Sequence, residues 1–478
     1  MAIASSIAAN RFGLGARPNE VIPADQKGWL KRQIKEFDPA PQELEGQPSR
    51  SQIAAEFREY QIDRKDRRDA MKQAASTQPA DTAFDPAQIE KVVNSLRARY
   101  VAAADARLSA ALASDTTFAE RLVHFWSNHF AVSIDKLPVL GLGGDFEFNA
   151  IRPNIMGTFS QLLTSAVTHP AMLLYLDQAQ SIGPGSPLAQ RIAARRNREL
   201  GLNENLAREI LELHTLGVRT VYDQNDVTEF ARALTGYTVG GMAKGPVQRL
   251  LMQSGGAGDT QFFAPIHEPG ERQVVGNQYR QQGEAQAKAI LADLAVHPAT
   301  AKHIATKLAA HFVADNPPET LVARVEQAFL KSGGDLQAVY IALIDAPEAW
   351  LPQQAKFKSP WDWTVSSLRA LNVRTLPGNE RQTVNMFTQM GQPIWRPGSP
   401  AGFADTSENW AGGAALMRRV EIANRLAERS ANRVDARTLA PLILAGQLSP
   451  VTGESIARAE SPSQGLALFL LSPEFLRR

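Results

Sequence analysis

Apolar residues recur at three- and four-residue spacing along most of this 478-residue chain, and no other feature constrains its fold as strongly. A helix shows one apolar face to the core at that spacing. The period predicts a mainly α fold: a single large helical array over residues 1–478, with a small β-hairpin insertion and long irregular loops. The predicted helices are Gln52–Ala75, Pro86–Leu112, Phe118–Phe130, Met156–Val167, Asn203–Leu216, Asp226–Leu234, Gly283–Ala295, Thr300–Ala314, Pro318–Lys331, Leu336–Ile344, Pro360–Leu371, Gly412–Arg429 and Pro462–Leu471.

Two stretches without a helical period interrupt this array. Ala74–Asp85 is rich in Ala, Thr, Pro and Asp, which predicts a flexible link between two long helices. Residues 238–283 form an irregular insertion, and because long loops are usually functional or disordered, we expect a lid or wall of a site. Within it, Thr260–Ile266 and Arg272–Gly276 flank Glu268-Pro269-Gly270-Glu271, and Pro then Gly at a turn centre predicts a β-hairpin.

Local patterns also predict where other elements begin. Asp226 and Glu229 form a D-x-x-E pattern that predicts a helix N-terminus. His-Pro-Ala occurs at His169–Ala171 and at His297–Ala299, and Pro favours the first turn of a helix, so both predict helix starts. Met390–Trp410 is broken by Pro and Gly but rich in aromatic residues, which predicts an ordered loop packed on the helical body.

Charge and composition exclude several classes of protein. The chain has 51 basic and 49 acidic residues, which argues against a general nucleic-acid binder. It has no cysteine, so disulfides, thiolate nucleophiles and cysteine-bound metals are excluded. No apolar run is long enough to predict a transmembrane helix. Met1–Arg11 lacks the basic start and apolar core of a signal peptide, so we expect that export by the chain's own signal is absent or that a leader was removed.

The segment from His124 to Phe130 is the densest in histidine. His124 and Asn128 are four residues apart and share one helix face, whereas His129 lies about 140° from His124 and so cannot chelate one metal with it. Both histidines could still reach one pocket wall. The competing interpretation is a core helix whose histidines are hydrogen-bonded internally.

A second polar segment runs from Asn203 to His214. On a helix, Asn205, Arg208, Glu209 and Glu212 gather on one face, which is either solvated or a catalytic or metal-binding face. His214 falls in the apolar sector and needs a partner there, because an unpaired buried polar group costs roughly 1–3 kcal/mol.

A third candidate is the pair His267-Glu268 beside the predicted turn, since loops on a rigid scaffold often carry functional residues. The chain has no nucleophile elbow, phosphate-binding loop, dinucleotide-binding glycine motif or HExxH motif. The standard hydrolase, nucleotide-binding and zinc-peptidase classes therefore lose most of their support.

The chain resembles the bacterial domain-of-unknown-function 1800 family (DUF 1800) in a series of segments that run in order over nearly its whole length. These segments are Asn10–Pro18, His124–Ser133, His169–Asp177, Asn203–Val218, Asp226–Val239, His267–Gly276, His297–Asp315, Lys358–Leu371, Met390–Phe403 and Leu471–Phe475.

The resemblance implies a single, mainly helical unit and no known reaction. Members of the family often look like neighbours of a sulfatase-like exported family, which implies a place in the periplasm or cell envelope and a link to glycans. The resemblance also favours a functional interpretation of the two histidine and glutamate segments, because polar residues on family motifs require more explanation than solvation gives.

The leading hypothesis is an envelope-associated hydrolase or lyase that cleaves a polysaccharide. Its catalytic candidates are Glu209, Glu212, His124, His129 and His214. Its substrate-binding candidates are Trp126, Asn128, Asn205, Arg208, His267 and Glu268. Glutamate pairs cleave glycosidic bonds, and Trp126, Trp395 and Trp410 offer flat faces for sugar stacking.

Two alternatives stay open. Histidine and carboxylate ligands could hold a divalent metal that activates water or oxygen. A non-catalytic protein that binds an exported, sulfatase-like partner is the rival from another class. That rival predicts polar residues scattered through the core rather than gathered at a cleft.

Overall fold

α-Helix dominates the computed structural model of the chain, which describes residues 2–74, 86–196, 201–242, 256–374 and 381–478. The structure is 62% helical, with 23 α-helices and two small antiparallel sheets among the described residues. The predicted mainly α fold is confirmed. No helix in the described ranges is both long and apolar enough to cross a membrane.

The helices of the first half are α1 Ala2–Ser6, α2 Gln26–Glu36, α3 Arg50–Ala74, α4 Pro86–Ala113, α5 Thr117–His129, α6 Leu137–Leu140, α7 Gly143–Phe146, α8 Phe159–Val167, α9 Pro170–Tyr175, α10 Pro187–Arg196, α11 Asn205–Glu209 and α12 Gln224–Leu234. Those of the second half are α13 Glu284–Val296, α14 Pro298–Phe312, α15 Glu319–Ser332, α16 Leu336–Asp345, α17 Pro360–Ala370, α18 Arg381–Gln389, α19 Ser407–Trp410, α20 Gly413–Ser430, α21 Ala436–Ile443, α22 Pro450–Ala457 and α23 Pro462–Leu470. Three π-helical segments extend helices α1, α7 and α11: Ile7–Phe12, Glu147–Ile151 and Ile210–His214.

The predicted helices all occur, with ends that move by a few residues. Shorter helices were not predicted from the apolar period, among them α2, α10, α18, α21 and α22. Several of these begin with proline or span only two or three turns, which leaves too few positions for a period to show. The predicted link of residues 74–85 lies outside the described residues, apart from Ala74 at the end of α3.

The four strands are β1 Tyr237–Val239, β2 Thr260–Phe262, β3 Arg272–Val274 and β4 Asn277–Tyr279. The predicted pairing within the insertion is wrong: β2 pairs with β1, and β3 pairs with β4. The hairpin turn is Val275-Gly276, and both residues have positive φ, 47° and 76°. Such a two-residue turn matches the right-handed twist of its strands, whereas Pro269-Gly270 lies in the loop before β3.

Histidine caps begin two of the helices. In His169 and in His297 the ring Nδ1 accepts the backbone N–H of the residue two positions on, at 3.1 Å in both cases. Proline follows each histidine at the first helical position, where a missing N–H costs nothing. The two predicted helix starts are therefore confirmed, and the histidine explains why the motif begins as it does.

Helix α12 begins with a capping box one turn earlier than its sequence pattern predicts. Asp223 is the N-cap, and its side chain and that of Asp226 each accept the other's backbone N–H. The prediction that Asp226 and Glu229 cap this helix is wrong. Glu229 instead forms ion pairs with Arg232 and, at 3.2 Å, with Arg272.

Two clusters of buried apolar residues fill the interior. The first lies around α5, α8 and α12–α16, and the second around α17, α18 and α20–α23, while α4 contributes to both. The predicted loop of Met390–Trp410 packs on the second cluster through Trp395, which is 6% exposed, but its last four residues, Ser407–Trp410, form helix α19. Helix α5 packs against α2 and two of the π segments, so its side chains point into the interior on nearly every side.

Candidate functional site

Helix α5 presents its two histidines to different neighbours. The His124 Nδ1 accepts the indole N–H of Trp361 at 3.0 Å, and its Nε2 lies 3.5 Å from a carboxylate oxygen of Glu120. The His129 Nε2 instead lies 3.1 Å from the carbonyl oxygen of His214 and donates to it. The two rings therefore belong to separate surroundings, as their angular separation on the helix requires.

His124 lies beside a fully buried ion pair between Glu120 and Arg152, 2.7 Å apart. Burial alone would raise the pKa of Glu120, but Arg152 and His124 lower it well below its usual value. Burial lowers the pKa of His124 more than Glu120 raises it, so the ring is neutral at neutral pH.

A second buried carboxylate, Glu147, also has its pKa lowered by its partners in spite of its burial. It accepts hydrogen bonds from Arg107 at 2.8 Å, Ser127 at 2.6 Å and the indole of Trp395 at 2.9 Å. Burial opposes its charge, but these donors lower its pKa overall. Neither Glu120 nor Glu147 was a candidate from the sequence, because the partners that mark them as buried charges, Arg152 and Trp395, lie 32 and 248 residues away in the chain.

A third buried group of charges joins α5 to α17. Arg121 lies 3.1 Å from Asp362, and Arg478 lies 3.3 Å from the other oxygen of the same carboxylate. The ammonium of Lys358 stands over the ring of Phe475 and donates to Ser366 at 3.1 Å. Burial, opposed only in part by Asp362, lowers the pKa of Lys358 to about 7.

The predicted sugar-binding residues of α5 are held by the protein itself. Trp126 is fully buried, and its indole N–H donates to the Tyr340 hydroxyl at 2.6 Å. Asn128 exchanges two hydrogen bonds with the backbone of Phe403, at 2.8 and 2.9 Å, and so fixes the loop before α19. Trp395 and Trp410 are also buried. None of these tryptophans offers a face to solvent.

The segment that carries Glu209, Glu212 and His214 changes its winding midway. Helix α11 ends at Glu209, and residues Ile210–His214 continue it as a π turn. Such turns occur often at functional sites. Leu206, Ile210 and His214 are buried, while Asn205 is exposed and the three charged residues between them are partly exposed.

Glu209 is the least satisfied carboxylate of this segment. It is half-buried and has neither an ion pair nor a hydrogen bond among the described residues. Burial raises its pKa, the charge of Glu212 raises it further, and Arg208 lowers it only in part. Arg208 instead pairs with Glu204 at 3.2 Å and approaches Glu212 at 3.8 Å. The ring of Tyr175 lies close by, and burial together with Glu209 raises its pKa to about 12.

The end of the π turn is capped by histidines from two other helices. The His129 Nε2 donates to the His214 carbonyl, and the His303 Nε2 to the Leu213 carbonyl, both at 3.1 Å. These carbonyls have no partner within their own helix. The ring of His214 is fully buried, and neither of its nitrogens has a hydrogen bond. Burial, Lys307 and His303 together lower its pKa to about 3.

His267 and Glu268 hold the loop before β3 against two other segments of the chain, one at Thr235 and one at Gly185. The His267 Nδ1 lies 2.7 Å from the carbonyl oxygen of Thr235, and Glu268 accepts the backbone N–H of Gly185 at 2.6 Å. A Cβ atom at Gly183 would lie 2.6 Å from Glu268, so only glycine permits this close approach. No described contact brings this pair to α5 or to Glu209.

The structure thus joins His129 with His214, whose ring centroids are 6.0 Å apart. It also places Glu209 on one partly exposed face with Arg208 and Glu212, which act on it electrostatically without a direct contact. It places His124 in a separate buried network and His267 with Glu268 in a loop contact. Sequence reasoning missed His303, Lys307 and His311, although their i, i+4, i+8 spacing on α14 marks one helix stripe.

Metal-ligating residues do not converge in the part of the chain that the structure describes, since no three His, Asp or Glu side chains there are grouped to hold an ion. Two surface depressions lie far along the chain from the predicted site residues. One, of about 670 Å³, is lined by Gln389, Arg418, Glu421 and Arg425. The other, of about 310 Å³, lies between α20 and α23.

Comparison with known proteins gives one match. A family model described as "Protein of unknown function (DUF1800)" matches residues 7–477, nearly the whole chain. No curated protein and no solved structure matches the chain.

Proposed function

This chain belongs to the DUF1800 family of proteins of unknown function, and on that premise we propose that it is an acid–base hydrolase or lyase that cleaves a polysaccharide. The observation that carries the proposal is the contrast between Glu209 and Glu212. They lie three residues apart on a partly exposed face, one with a raised pKa and no partner, the other beside Arg208.

This contrast suits the two roles that glycoside cleavage requires. A carboxyl group with a raised pKa keeps its proton at a pH where an ordinary glutamate has lost it, so Glu209 can protonate a leaving oxygen. The second role is that of a base, which takes a proton from water in a hydrolase or from a sugar carbon in a lyase. We assign this role to Glu212, whose carboxylate lies 3.8 Å from the Arg208 guanidinium.

Two tyrosines supply the aromatic surface that the buried tryptophans do not. Tyr175 and Tyr222 are partly exposed, and the glutamates act on them from nearby: Glu209 on Tyr175 and Glu212 on Tyr222. Aromatic rings beside a pair of carboxylates suit a sugar ring, since the flat faces are apolar and the hydroxyls are polar. Asn205 and Arg208 lie on the same helix and complete the proposed binding face.

Glu209→Gln and Glu212→Gln test the proposal, because the substitution removes charge and keeps shape. Each variant and the wild type are incubated with a panel of soluble polysaccharides, and new reducing ends are counted. Absorbance of an unsaturated product distinguishes a lyase from a hydrolase. We expect both variants to lose cleavage and to stay folded.

The matched control is Glu408→Gln, which changes an exposed glutamate on α19. It should cleave as the wild type does, within the range of ordinary surface substitutions. Cleavage that survives in both Glu209→Gln and Glu212→Gln would remove these residues from the mechanism.

A second candidate function is binding without catalysis, in which the chain holds an exported, sulfatase-like partner. It is favoured by the way the protein itself engages His124, Trp126, Asn128 and Glu268, which are spread through separate contacts. Binding of a polysaccharide or a partner by wild-type protein that cleaves nothing in the panel would favour this candidate. A periplasmic or envelope location is part of both proposals and rests on the family resemblance.

The metal-dependent alternative has no grouping of ligands to support it in the described ranges. Elemental analysis of the purified protein tests it directly. Stoichiometric iron, zinc, copper or manganese would overturn a mechanism that uses glutamates alone.

A further inference from the structure

Four basic side chains from three elements lie close together at the end of the π turn. His129 comes from α5, His214 from the π turn, and His303 and Lys307 from adjacent turns of α14; we call them the basic cluster. The ring centroids of His129 and His303 are 6.2 Å apart, and those of His129 and His214 are 6.0 Å apart. The Lys307 ammonium acts electrostatically on all three rings.

The cluster leaves several nitrogens without partners. His129 and His303 donate from Nε2 to backbone carbonyls, which leaves Nδ1 of each ring as an acceptor. The buried His129 Nδ1 and both nitrogens of His214 have no hydrogen bond. Lys307 has no hydrogen bond or ion pair among the described residues either. Buried polar groups are normally satisfied, so the three unpartnered ring nitrogens of His129 and His214 call for a ligand.

The positive charge of Lys307 is also uncompensated. In the part of the chain that the structure describes, no carboxylate lies within hydrogen-bond distance of the cluster, and Asp405, which acts on Lys307 from further off, is bound to His311 at 2.6 Å and to Lys356 at 3.3 Å. Burial, opposed in part by Asp405, lowers the pKa of Lys307 to about 8. A water molecule would satisfy hydrogen bonds but leave this charge unbalanced.

We propose that His129, His214, His303 and Lys307 form a binding site for a small oxyanion, with Lys307 as its cationic anchor. An oxyanion offers several acceptors to the Lys307 ammonium and to the one N–H that the unpartnered His214 ring carries, and charge-assisted hydrogen bonds such as those of the ammonium are the strong ones. A protonated oxygen, such as one of phosphate, also donates to the free Nδ1 of His129. His303 and Lys307 are partly exposed, so the anion enters between them, while His129 and His214 form the floor. This site does not depend on the proposed glycan cleavage.

Equilibrium dialysis of the full chain against labelled inorganic phosphate tests the site, with sulfate and acetate as competitors. We expect one phosphate per chain. Competition by sulfate would identify a site for tetrahedral anions, and competition by acetate alone a site for a carboxylate. Lys307→Gln should weaken phosphate binding on the order of tenfold or more, since a charge-assisted contact is lost.

Lys302→Gln is the matched control, because Lys302 is exposed on the same helix and should bind phosphate as the wild type does. Equal binding by Lys307→Gln, or loss only in Arg425→Gln at the surface depression, would place the anion elsewhere and overturn the proposal.

A measurement on the wild type alone covers the case in which the Lys307 variant does not fold. Phosphate should shift the ring resonances of buried histidines in a spectrum of histidine-labelled protein. No bound anion and no shifted histidine would show that the cluster holds water only, and the proposal would fail.

Discussion

The buried ring of His214 shows what a single residue contributes to stability here. It packs 5.1 Å from the ring of Phe130, and its neutral form is the one the fold accepts, because burial lowers its pKa to about 3. The unfolded chain takes up a proton near the ordinary value of 6.5, well before the folded chain does. The stability that neutral His214 contributes is therefore fully present above pH 6.5 and is lost as the pH falls from 6.5 toward 3.

We expect His214→Phe to remove this pH dependence. One proton fewer in the unfolded state lowers the slope of unfolding free energy against pH by roughly 1.4 kcal/mol per unit between the two pKa values. Phenylalanine keeps an aromatic ring and removes two unpartnered nitrogens. Denaturant unfolding at several pH values, in buffers without oxyanions, provides the measurement. An unchanged slope would show that His214 is partnered in solution.

Single residues also show how far the sequence predicts the site. Helix geometry alone placed Glu209, Glu212 and Arg208 on one face and His214 on the other, and the structure agrees. It did not reveal that Trp395 donates to Glu147 or that Trp361 donates to His124, because these partners are 248 and 237 residues apart in the chain. Long-range partners decide whether a motif histidine is free or engaged, and helical periodicity carries no information about them.

Among the elements, the two histidine-capped helices offer a matched comparison. The His169 ring caps α9 and also lies 2.8 Å from Asp145, which Arg50 holds in turn. The His297 ring caps α14 without such a second partner among its described contacts. Loss of an N-cap costs about 0.5–2 kcal/mol. We expect His297→Ala to fall in that range and His169→Ala to exceed it, as measured by chemical denaturation.

His297→Ser is the control for this comparison, because serine also caps a helix and should restore most of the loss. Equal losses at the two positions would mean that the Asp145 contact contributes nothing to stability.

The hairpin β3–β4 shows why one element was paired wrongly from the sequence. Its turn needs positive φ at both central residues, a demand that Asn-Gly satisfies and that a β-branched residue resists. Because valine stands at position 275, the sequence does not predict this turn, whereas Pro269-Gly270 predicts one nearby.

Val275→Asn should therefore stabilise the protein. A residue other than glycine held at positive φ costs of the order of 1–3 kcal/mol, and asparagine recovers part of that cost. The melting temperature should rise, whereas Val218→Asn, at an exposed valine without positive φ, should not raise it. A fall for Val275→Asn would mean that its packing on the first apolar cluster outweighs the strain.

For the whole molecule, the Arg121–Asp362–Arg478 group links the surroundings of the two apolar clusters. Asp362 lies on α17, whose apolar residues belong to the second cluster, and Arg121 lies on α5, whose apolar residues belong to the first. Arg121 and Arg478 outweigh the effect of burial and hold the pKa of Asp362 far below its usual range. The carboxylate is therefore charged at neutral pH.

We expect Asp362→Asn to destabilise the protein by about 3–5 kcal/mol, because it leaves two buried guanidinium groups without their counter-charge. Calorimetry should show a single transition moved to lower temperature, since both clusters lose the same link. Glu421→Gln, which breaks the exposed pair with Arg418, should change stability by no more than about 0.5 kcal/mol. Two separated transitions in Asp362→Asn would show that the clusters unfold independently.

The π turn at Ile210–His214 also sets the angle about the helix axis between Glu209, just before the turn, and His214, at its end. An α-helix advances about 100° per residue, so removal of one residue from the π turn would restore ordinary winding and rotate everything after it relative to Glu209. His214 would swing out of the basic cluster while Glu209 stayed in place. Glu212 lies within the turn and would move as well, so the length of this segment, more than its composition, couples the glutamate pair to the basic cluster.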